Sequence, residues 1–378
     1  MSHPSGVVLS GGGANGAYEI GVLKALVRGE SPVSGGTPVD PGVIAATSIG
    51  AFNSAVLLSN LNGSWSEAVG ALEKVWLERI SLSGTASRNG VFRLRGNPLT
   101  WMDMDVLRTD PFKPARDLAD DAVFLAKDWS ARAREFTTSS GSLERRAAEL
   151  FDMSTFVTPA PSEALIREAV SLPRVRASRV ALKIAATRWW KGTLRLFSNV
   201  DFTDGIGAKI VLASAAIPGI FPPVVIDGEP FVDGGVVLNT PLKPAIDAGA
   251  DTLHVIYLDP DPAAIPLRRI GSTLDTAGRM FAISFGATIK RDLEIASRVN
   301  HGVHAEKAAA RGESVRLEPL HTGRKHRPLQ IHLYHPEADF GGALGMLDFQ
   351  RERVTALIER GYLDTVGHDC GKAGCIGV

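Results

Sequence analysis

Short apolar runs alternate with amphipathic segments along the N-terminal part of the chain. Residues 6–10 and 43–47 are nearly continuous apolar runs, which predict strands buried on both faces. Residues 16–29 and 50–61 follow them with apolar side chains three or four positions apart, as in a helix, and a further helix is predicted at about 66–79. This alternation predicts an α/β fold: a three-layer α/β/α arrangement around a central, mostly parallel sheet.

The second half of the chain continues the same pattern. Residues 179–198 form two extended runs around Lys191 and Gly192, which predict a hairpin, and residues 252–260 predict another buried strand. Further helices are predicted over 206–218, where Pro218 would end the helix, 267–299 and 351–367.

Residues 80–150 interrupt the pattern with loop-like sequence and one amphipathic segment, 115–136, which predicts a helix. This inserted helical and loop region has two interpretations: a lid over a site, or a surface elaboration without a function of its own. We expect one domain over 1–378, with its core at about 5–80 and 150–300 and a C-terminal extension of the core at 300–378.

The composition argues against several classes of protein. The chain carries 41 basic and 41 acidic residues, so it offers no net positive charge for binding nucleic acid. No apolar stretch approaches the roughly 20 residues of a spanning helix, and no signal-peptide pattern precedes the first strand. The only cysteines, Cys370 and Cys375, build no disulfide framework, which favours a reducing, cytoplasmic location. The oligomeric state does not follow from the composition.

A glycine-rich loop joins the first predicted strand to the first helix; its residues are Gly11, Gly12, Gly13, Ala14, Asn15 and Gly16. The loop fits the G-x-G-x-x-G pattern of dinucleotide-binding folds, in which it holds a pyrophosphate. That fingerprint also requires an acidic residue at the end of the second strand. Here Asp40 precedes the second strand, and Ser48 stands where the acid is expected.

Ser48 lies between the second strand and the second helix, in the sequence Ala46-Thr47-Ser48-Ile49-Gly50. This is the G-x-S-x-G nucleophile elbow with alanine for the first glycine, and the tight turn needs small residues two positions before and after the serine. The alternative is an N-capping serine, which is common at helix starts.

Asp233 follows an apolar pair and precedes Gly234 and Gly235. Asp-Gly is a frequent turn dipeptide, so a turn without a catalytic role is one interpretation. The two glycines also let another group approach the carboxylate closely, which favours a functional role.

Together these motifs resemble the patatin-like phospholipase family. Four landmarks occur in the family's order between residues 6 and 242: the glycine-rich loop, the elbow around Ser48, the segment 213–224 and the motif that begins at Asp233. Two positions depart from the family's pattern, which commonly has a basic residue at Asn15 and a glycine at Ala46. Neither departure removes a catalytic atom, and Asn15 is expected to alter the affinity for an anion or headgroup near the loop.

The resemblance implies a patatin-like fold and a serine acyl hydrolase, of lipase or phospholipase A type, that cleaves carboxylic ester bonds of lipids. A Ser–Asp dyad would use Ser48 as the nucleophile and Asp233 as the base, because burial raises the pKa of a carboxylate toward neutral pH. The glycine loop would stabilise the oxyanion with backbone amides, and water would hydrolyse an acyl-Ser48 intermediate. No metal or organic cofactor is implied. The expected partners are a lipid or other ester substrate and, peripherally, a membrane.

Two other functions stay open. An α/β-hydrolase-type esterase would use a Ser–Asp–His triad, with the histidine taken from His254, His301, His304, His332 or His335. A nucleotide-binding module would use the glycine loop for phosphate, although the acid of the dinucleotide fingerprint and the Walker lysine are both missing.

Two smaller features lie outside these motifs. Trp189 and Trp190 either pack the predicted hairpin or touch a membrane interface, and packing is the more common role of such a pair. His368, Cys370 and Cys375 have the side chains of metal ligands, but they lack the fourth ligand of a closed zinc site. We therefore expect a mobile C-terminal tail and no metal.

Overall fold

One mostly parallel sheet organises the chain. The computed structural model describes residues 4–81, 89–97, 107–108, 110–138, 156–258, 273–310, 328–336, 340–341 and 345–377. The strands of these residues are β1 (Ser5–Leu9), β2 (Pro41–Thr47), β3 (Arg93–Leu94), β4 (Val157–Thr158), β5 (Ala181–Arg188), β6 (Thr193–Ser198), β7 (Val224–Ile226), β8 (Glu229–Asp233), β9 (Thr252–Ile256) and β10 (Gln330–Tyr334). The main sheet has the order β10–β9–β1–β2–β5–β8–β7, with β6 also paired to β5, and β3 pairs with β4 separately. The strands from β10 to β5 are parallel, whereas β6, β7 and β8 pair antiparallel.

Helices cover both faces of this sheet. Those of the described residues are α1 (Ala17–Val27), α2 (Ile49–Asn60), α3 (Trp65–Val75), α4 (Lys113–Thr138), α5 (Ala160–Ala169), α6 (Leu172–Ala177), α7 (Gly207–Ser214), α8 (Gly235–Leu238), α9 (Leu242–Asp247), α10 (Thr273–Ala310), α11 (Arg351–Val366) and α12 (Cys370–Ala373). None of the helices in the described part of the chain is long and apolar enough to cross a membrane.

The central strands divide their side chains between two apolar cores, because successive residues of a strand point to opposite faces. Leu9 and Ala46 belong to the core that contains side chains of α1, α2, α3 and α11. Val8 and Ala45 belong to the other core, with side chains of α9 and α10. Two cores on opposite faces of one sheet confirm the predicted three-layer α/β/α arrangement.

The strands β2 and β8 meet end to end on one edge of β5. The last residue of β2, Thr47, lies opposite Ala185, and β2 runs parallel to β5. The last residue of β8, Asp233, lies opposite Ala186, and β8 runs antiparallel to β5. Because β6 occupies the other edge of β5 here, the carboxyl ends of β2 and β8 converge. Side chains at these two strand ends are therefore brought together.

The helix predicted over 206–218 ends earlier than Pro218. It ends at Ser214, and residues 215–217 continue as tight turns. The carbonyl of Ala216 accepts a hydrogen bond from the amide of Asp233 instead of one from its own helix. The helix predicted over 267–299 extends to Ala310, while its predicted first residues, 267–272, lie outside the described residues.

The C-terminal segment is not the mobile tail that the sequence predicted. Residues 370–373 form α12, and Ile376 forms an antiparallel bridge with Ile331 of β10. The two amide–carbonyl bonds of this bridge measure 2.8 and 2.9 Å. The prediction failed because the open edge of β10 supplies the partners, and that edge is remote in sequence.

Within the inserted region, the predicted helix is present as α4. Arg93 of β3 binds the carboxylate of Asp121 on α4, with one nitrogen–oxygen distance of 2.9 Å. This ion pair ties the helix to the two-stranded β3–β4 sheet. Residues 82–88, 98–106, 109 and 139–155 lie outside the described residues, and the domain boundaries and the lid stay predictions.

The tryptophan pair lies in the turn between β5 and β6, which the amide of Gly192 closes on the carbonyl of Arg188. Trp189 is 51% exposed and Trp190 is 73% exposed. Neither side chain therefore belongs to the buried core, and whether the pair packs the hairpin or touches a membrane stays a prediction.

Candidate active site

Ser48 occupies the sharp turn between β2 and α2. Its backbone has φ 55° and ψ −123°, a conformation that residues with a Cβ seldom adopt and that costs of order 1–3 kcal/mol. The hydroxyl makes no capping bond to α2. The alternative of an N-capping serine is therefore wrong, and the strained turn aims the Ser48 hydroxyl away from its own helix.

Asp233 is the partner of that hydroxyl. Ser48 Oγ donates to Asp233 Oδ2 at 2.7 Å, and both side chains are buried. The amide of Gly235 donates to Asp233 Oδ1 at 2.7 Å, which is the local bond of an Asx turn. Burial raises the pKa of Asp233 to about 7, although the bonds from Ser48 and Gly235 act in the opposite direction. A carboxylate with this pKa exchanges protons near neutral pH.

Ser214 fastens the elbow to the sheet, and the sequence analysis missed it. The amide of Ser48 donates to Ser214 Oγ at 2.9 Å, and that hydroxyl donates to the carbonyl of Ala185 on β5 at 2.7 Å. The carbonyl of Ser214 also accepts from the amide of Gly234 at 3.3 Å. One residue thus links the turn that carries Ser48 to the turn that follows Asp233. Its only sequence signal was its place in the segment 213–224.

The glycine-rich loop passes beside Ser48. The amide of Gly11 donates to the carbonyl of Asn239 at 3.3 Å, and the amide of Ala14 donates to the carbonyl of Met346 at 2.8 Å. Among the described residues, neither the amide of Gly12 nor that of Gly13 has a hydrogen-bond acceptor. Gly13 has φ 57°, and a Cβ there would lie 2.2 Å from the carbonyl oxygen of Met346. The loop therefore requires glycine at position 13 and leaves two amides available beside Ser48.

The two small residues of the elbow have different surroundings. A Cβ on Gly50 would lie 2.7 Å from both the Cβ and the carbonyl oxygen of Leu9, so only glycine fits against β1 there. Ala46 lies within β2 between Leu9 and Ile184, where its methyl group is buried without strain. The departure at Ala46 therefore leaves the turn intact.

Gly16 lies at the far end of the loop and does not face Ser48. Its carbonyl accepts from Asn53 Nδ2 of α2 at 3.2 Å, and a Cβ on Gly16 would lie 2.7 Å from Ile49. Its position is one of close packing between α1 and α2.

Asn15 is buried and faces the C-terminal helix α11. Its Oδ1 accepts from the guanidinium of Arg353 at 2.7 Å, and Arg353 also donates to the carbonyl of Asp348 at 3.1 Å. The family commonly has a basic residue at position 15. In this chain the positive charge beside the loop is instead the guanidinium of Arg353, which belongs to α11. These contacts make Asn15 an anchor of the loop.

Two cavities adjoin the site. A small cavity is lined by Ser48, Asp233, Asn239 and the glycines 11 to 13 of the loop, among others. A second, almost wholly apolar cavity is lined by Ile49, which follows Ser48 in sequence, and by Ala216, two residues after the end of α7.

The candidate histidines of a triad lie elsewhere. His254 on β9 and His332 on β10 stack on each other with ring centroids 5.3 Å apart. His301 Nδ1 lies 2.8 Å from the carbonyl of Ser297, and His335 Nδ1 lies 3.3 Å from that of Pro336. None of these four histidines contacts Ser48 or Asp233. The side chain of His304 lies outside the described residues.

Comparisons with known proteins bear on the family of the chain. The family model for patatin-like phospholipases matches residues 7–246 of the 378, which include the loop, the elbow and the Asp233 motif. VipD from Legionella pneumophila, known from its crystal structure, has 15% sequence identity and a TM-score of 0.38, over 99% of this chain and 67% of its own. No curated protein sequence matches the chain significantly. The family match shows that the chain belongs to the patatin-like phospholipases, a family of hydrolases that act on lipid esters.

Proposed function

We propose that the chain is a serine acyl hydrolase that cleaves carboxylic ester bonds of lipids with Ser48 as nucleophile and Asp233 as base. The observation that carries the proposal is the 2.7 Å hydrogen bond from Ser48 Oγ to Asp233 Oδ2 in a buried corner. Burial raises the pKa of Asp233 to about 7, so its carboxylate is basic enough to take the serine proton. Within the described part of the chain no histidine contacts this pair, which favours a dyad over a triad.

The reaction follows from these positions in two steps. Ser48 Oγ attacks the ester carbonyl carbon while Asp233 Oδ2 takes its proton, and the carbonyl oxygen becomes an oxyanion. Collapse of this intermediate breaks the bond to the alcohol, which leaves with the proton from Asp233, and acyl-Ser48 remains. Water then attacks the acyl carbon, again losing its proton to Asp233, and the carboxylic acid is released as Ser48 is protonated.

The amides of Gly12 and Gly13 are the oxyanion donors in this proposal. Both lie in the loop beside Ser48, and neither has another acceptor among the described residues. The amide of Gly11 is already bonded to Asn239. We therefore assign the oxyanion hole to Gly12 and Gly13, and Gly11 supports the loop. Such fixed donors stabilise a developing charge without reorganisation.

The apolar cavity beside Ile49 accommodates the acyl chain. Its single polar lining side chain, Ser162, has its hydroxyl bonded to the carbonyl of Val91. A cavity with so few free polar groups favours a hydrocarbon chain over a polar substituent. This feature supports a lipid ester over a small soluble ester.

The exposed Trp189 and Trp190 support peripheral contact with a membrane. Aromatic rings settle at membrane–water interfaces, and Arg188 and Lys191 flank this pair. Contact through this turn would bring an enzyme that hydrolyses lipid esters to the membrane that contains its substrate.

A panel of p-nitrophenyl esters with acyl chains of increasing length, together with phospholipids of defined composition, tests the function. Wild type is expected to prefer long chains. Ala215→Trp, which fills the apolar cavity, is expected to lower kcat/KM for long chains about tenfold or more while sparing the acetate. Val200→Trp, on an exposed turn, is the matched control. Hydrolysis that persists in Ser48→Ala would contradict the proposal.

A further inference from the structure

Four side chains with soft donor atoms converge at the β10 edge of the sheet. His332 Nδ1 lies 3.6 Å from Cys370 Sγ, and His368 Nε2 lies 3.5 Å from Cys370 Sγ and 3.4 Å from Cys375 Sγ. All four donor atoms lie within 4.8 Å of one another. The strands β9 and β1 separate β10 from β2, so this cluster is distinct from the Ser48 corner.

We propose that His332, His368, Cys370 and Cys375 bind one Zn²⁺ ion in a closed tetrahedral site. Zinc bonds to sulfur and to imidazole nitrogen, at ordinary lengths and tetrahedral angles, would hold each sulfur about 3.6 Å from each nitrogen. Three of the four sulfur–nitrogen pairs of the cluster lie 3.4 to 3.6 Å apart. These three pairs of donor atoms therefore already have the spacing of a tetrahedral coordination shell.

One nitrogen of the cluster takes part in two of its contacts. His368 Nε2 contacts both sulfur atoms, yet a ring nitrogen has either one proton to donate or one lone pair to accept with. It therefore satisfies one of these two contacts. A cation at the centre of the four atoms satisfies all of them at once.

The donor set selects the metal. Two thiols and two imidazoles suit Zn²⁺, whereas Mg²⁺ and Ca²⁺ require oxygen ligands. The nearby carboxylate of Asp369 is engaged in its own turn, because its Oδ1 accepts from the amide of Gly371 at 2.9 Å. With four protein ligands the site leaves no open position for substrate, so its role is structural.

The groups around the cluster orient its ligands. The amide of Leu333 donates to Cys375 Sγ at 3.3 Å, which holds this sulfur beside β10. The ring of His332 stacks on His254, and the ring of His368 lies 4.6 Å from that of Tyr334. Packing thus fixes both imidazoles before a cation arrives.

The ion would fasten the C-terminal segment to the edge of the sheet. One ligand comes from β10 and three come from residues 368–375, while the bridge between Ile331 and Ile376 pairs the backbone of the same edge. An open edge strand is a site of aggregation unless it is covered. A zinc ion would keep this cover in place in a chain that has no disulfide framework.

Metal analysis of the purified full-length chain tests the proposal. Purified under reducing conditions without a chelator, wild type is expected to contain about one zinc ion per chain. Cys375→Ser and His332→Gln are expected to lose it, whereas His301→Gln, a histidine on the exposed surface of α10, keeps it. A chelator is expected to lower the Tm of wild type and of His301→Gln and to leave that of the two ligand variants unchanged.

Titration of the metal-free wild-type chain with Co²⁺ requires no variant, so it stays informative even if a ligand variant fails to fold. The expected result is the absorption of tetrahedral Co²⁺ with a thiolate-to-cobalt charge-transfer band, which Zn²⁺ displaces. Absence of that spectrum together with a zinc-free wild type would overturn the proposal. A Cys370–Cys375 disulfide, detected by mass spectrometry in the chain as purified under reducing conditions, would also overturn it.

Discussion

The Ser48 corner and the β10 edge both bury polar side chains against the same sheet, yet their backbones are built differently. At the corner, Ser48 has φ 55°, two strand ends converge, and the amides of Gly12 and Gly13 lack acceptors among the described residues. At the edge, His254 and His332 lie within regular parallel strands and stack on one another. The corner holds strain and unused donors, whereas the edge holds relaxed backbone and side chains that face each other.

If the proposed function is right, converging strand ends, and not a histidine, position the reacting groups. Histidine is the commonest general base, but the buried histidines lie away from the nucleophile. The group next to Ser48 is a carboxylate whose pKa burial raises to about 7. In the proposed mechanism, this buried carboxylate would take the role that a histidine has in a triad.

The largest expected effect separates the two regions by activity. Ser48→Ala removes the nucleophile, and we expect kcat/KM for a long-chain ester to fall by about 10⁴-fold or more. His254→Gln changes the other region, and we expect kcat per folded molecule to stay at the wild-type value even if the variant is less stable. A loss of activity in His254→Gln comparable to that in Ser48→Ala would support a triad and would contradict the assignment of catalysis to the Ser48 corner alone.

Asp233→Asn is expected to lower kcat by about 10²- to 10⁴-fold, because the base that takes the serine proton is lost. In wild type, kcat/KM should rise with pH up to about 7 and then level off, because the carboxylate must be deprotonated to act. A pH–rate profile of kcat/KM measures this dependence. A group with a pKa of about 7 cannot give a profile that is flat from pH 5 to 8, so a flat wild-type profile would rule out Asp233 as the base.

The carboxyl group of Asp233 also affects the free energy of unfolding, which should fall with rising pH where kcat/KM rises. A folded-state pKa raised above its ordinary value means that the folded chain holds the proton more tightly than the unfolded chain does. The free energy of unfolding of wild type, relative to that of Asp233→Asn, should therefore fall as the pH rises from about 4 to about 7. Urea denaturation at several pH values measures it.

Ser214→Ala tests how the corner is held, with a smaller expected effect. The variant leaves the amide of Ser48 and the carbonyl of Ala185 without their buried partner. We expect kcat to fall about 10- to 100-fold with KM little changed, because the nucleophile is displaced while the cavities remain. Ser54→Ala is the matched control, since the equally buried hydroxyl of Ser54 bonds only to the carbonyl of Ala51 in α2. Equal kcat losses in the two variants would contradict the positioning role of Ser214.

The smallest expected effect is on the free energy of unfolding and comes from the backbone strain at Ser48. Ser48→Gly and Ser48→Ala both remove the nucleophile, but alanine keeps a Cβ at φ 55°. We expect Ser48→Gly to be more stable than Ser48→Ala by about 1 kcal/mol. Thermal or urea unfolding of the two inactive proteins measures the difference. Alanine equal to or more stable than glycine would mean that the turn is not strained.

Local pattern was enough to predict the layers of the fold and to single out the main residues of the candidate site. The strand, loop and helix around Gly11–13 and the strand end before Ser48 are contiguous in sequence, so each can be recognised in place. The β2–β8 convergence that joins Ser48 to Asp233 is a property of the sheet, and only the family resemblance predicted that pairing.

The residues that sequence reasoning missed act over long separations. Ser214 bonds to Ser48 and to Ala185, and Arg353 reaches Asn15 from the C-terminal helix. His332 supplies the fourth soft ligand beside His368 from a strand outside the C-terminal segment. Each contact depends on how distant elements pack, and no local spacing encodes it.

Covalent labelling with an alkyl fluorophosphonate, followed by mass spectrometry of the modified peptide, tests whether Ser48 is a nucleophile activated by Asp233. The reagent phosphonylates an activated serine and mimics the first step of acyl transfer. We expect a single adduct on Ser48 in wild type, the same adduct in His254→Gln, and a much slower reaction in Asp233→Asn. An adduct on a different serine, or labelling of Asp233→Asn at the wild-type rate, would contradict a dyad of Ser48 and Asp233.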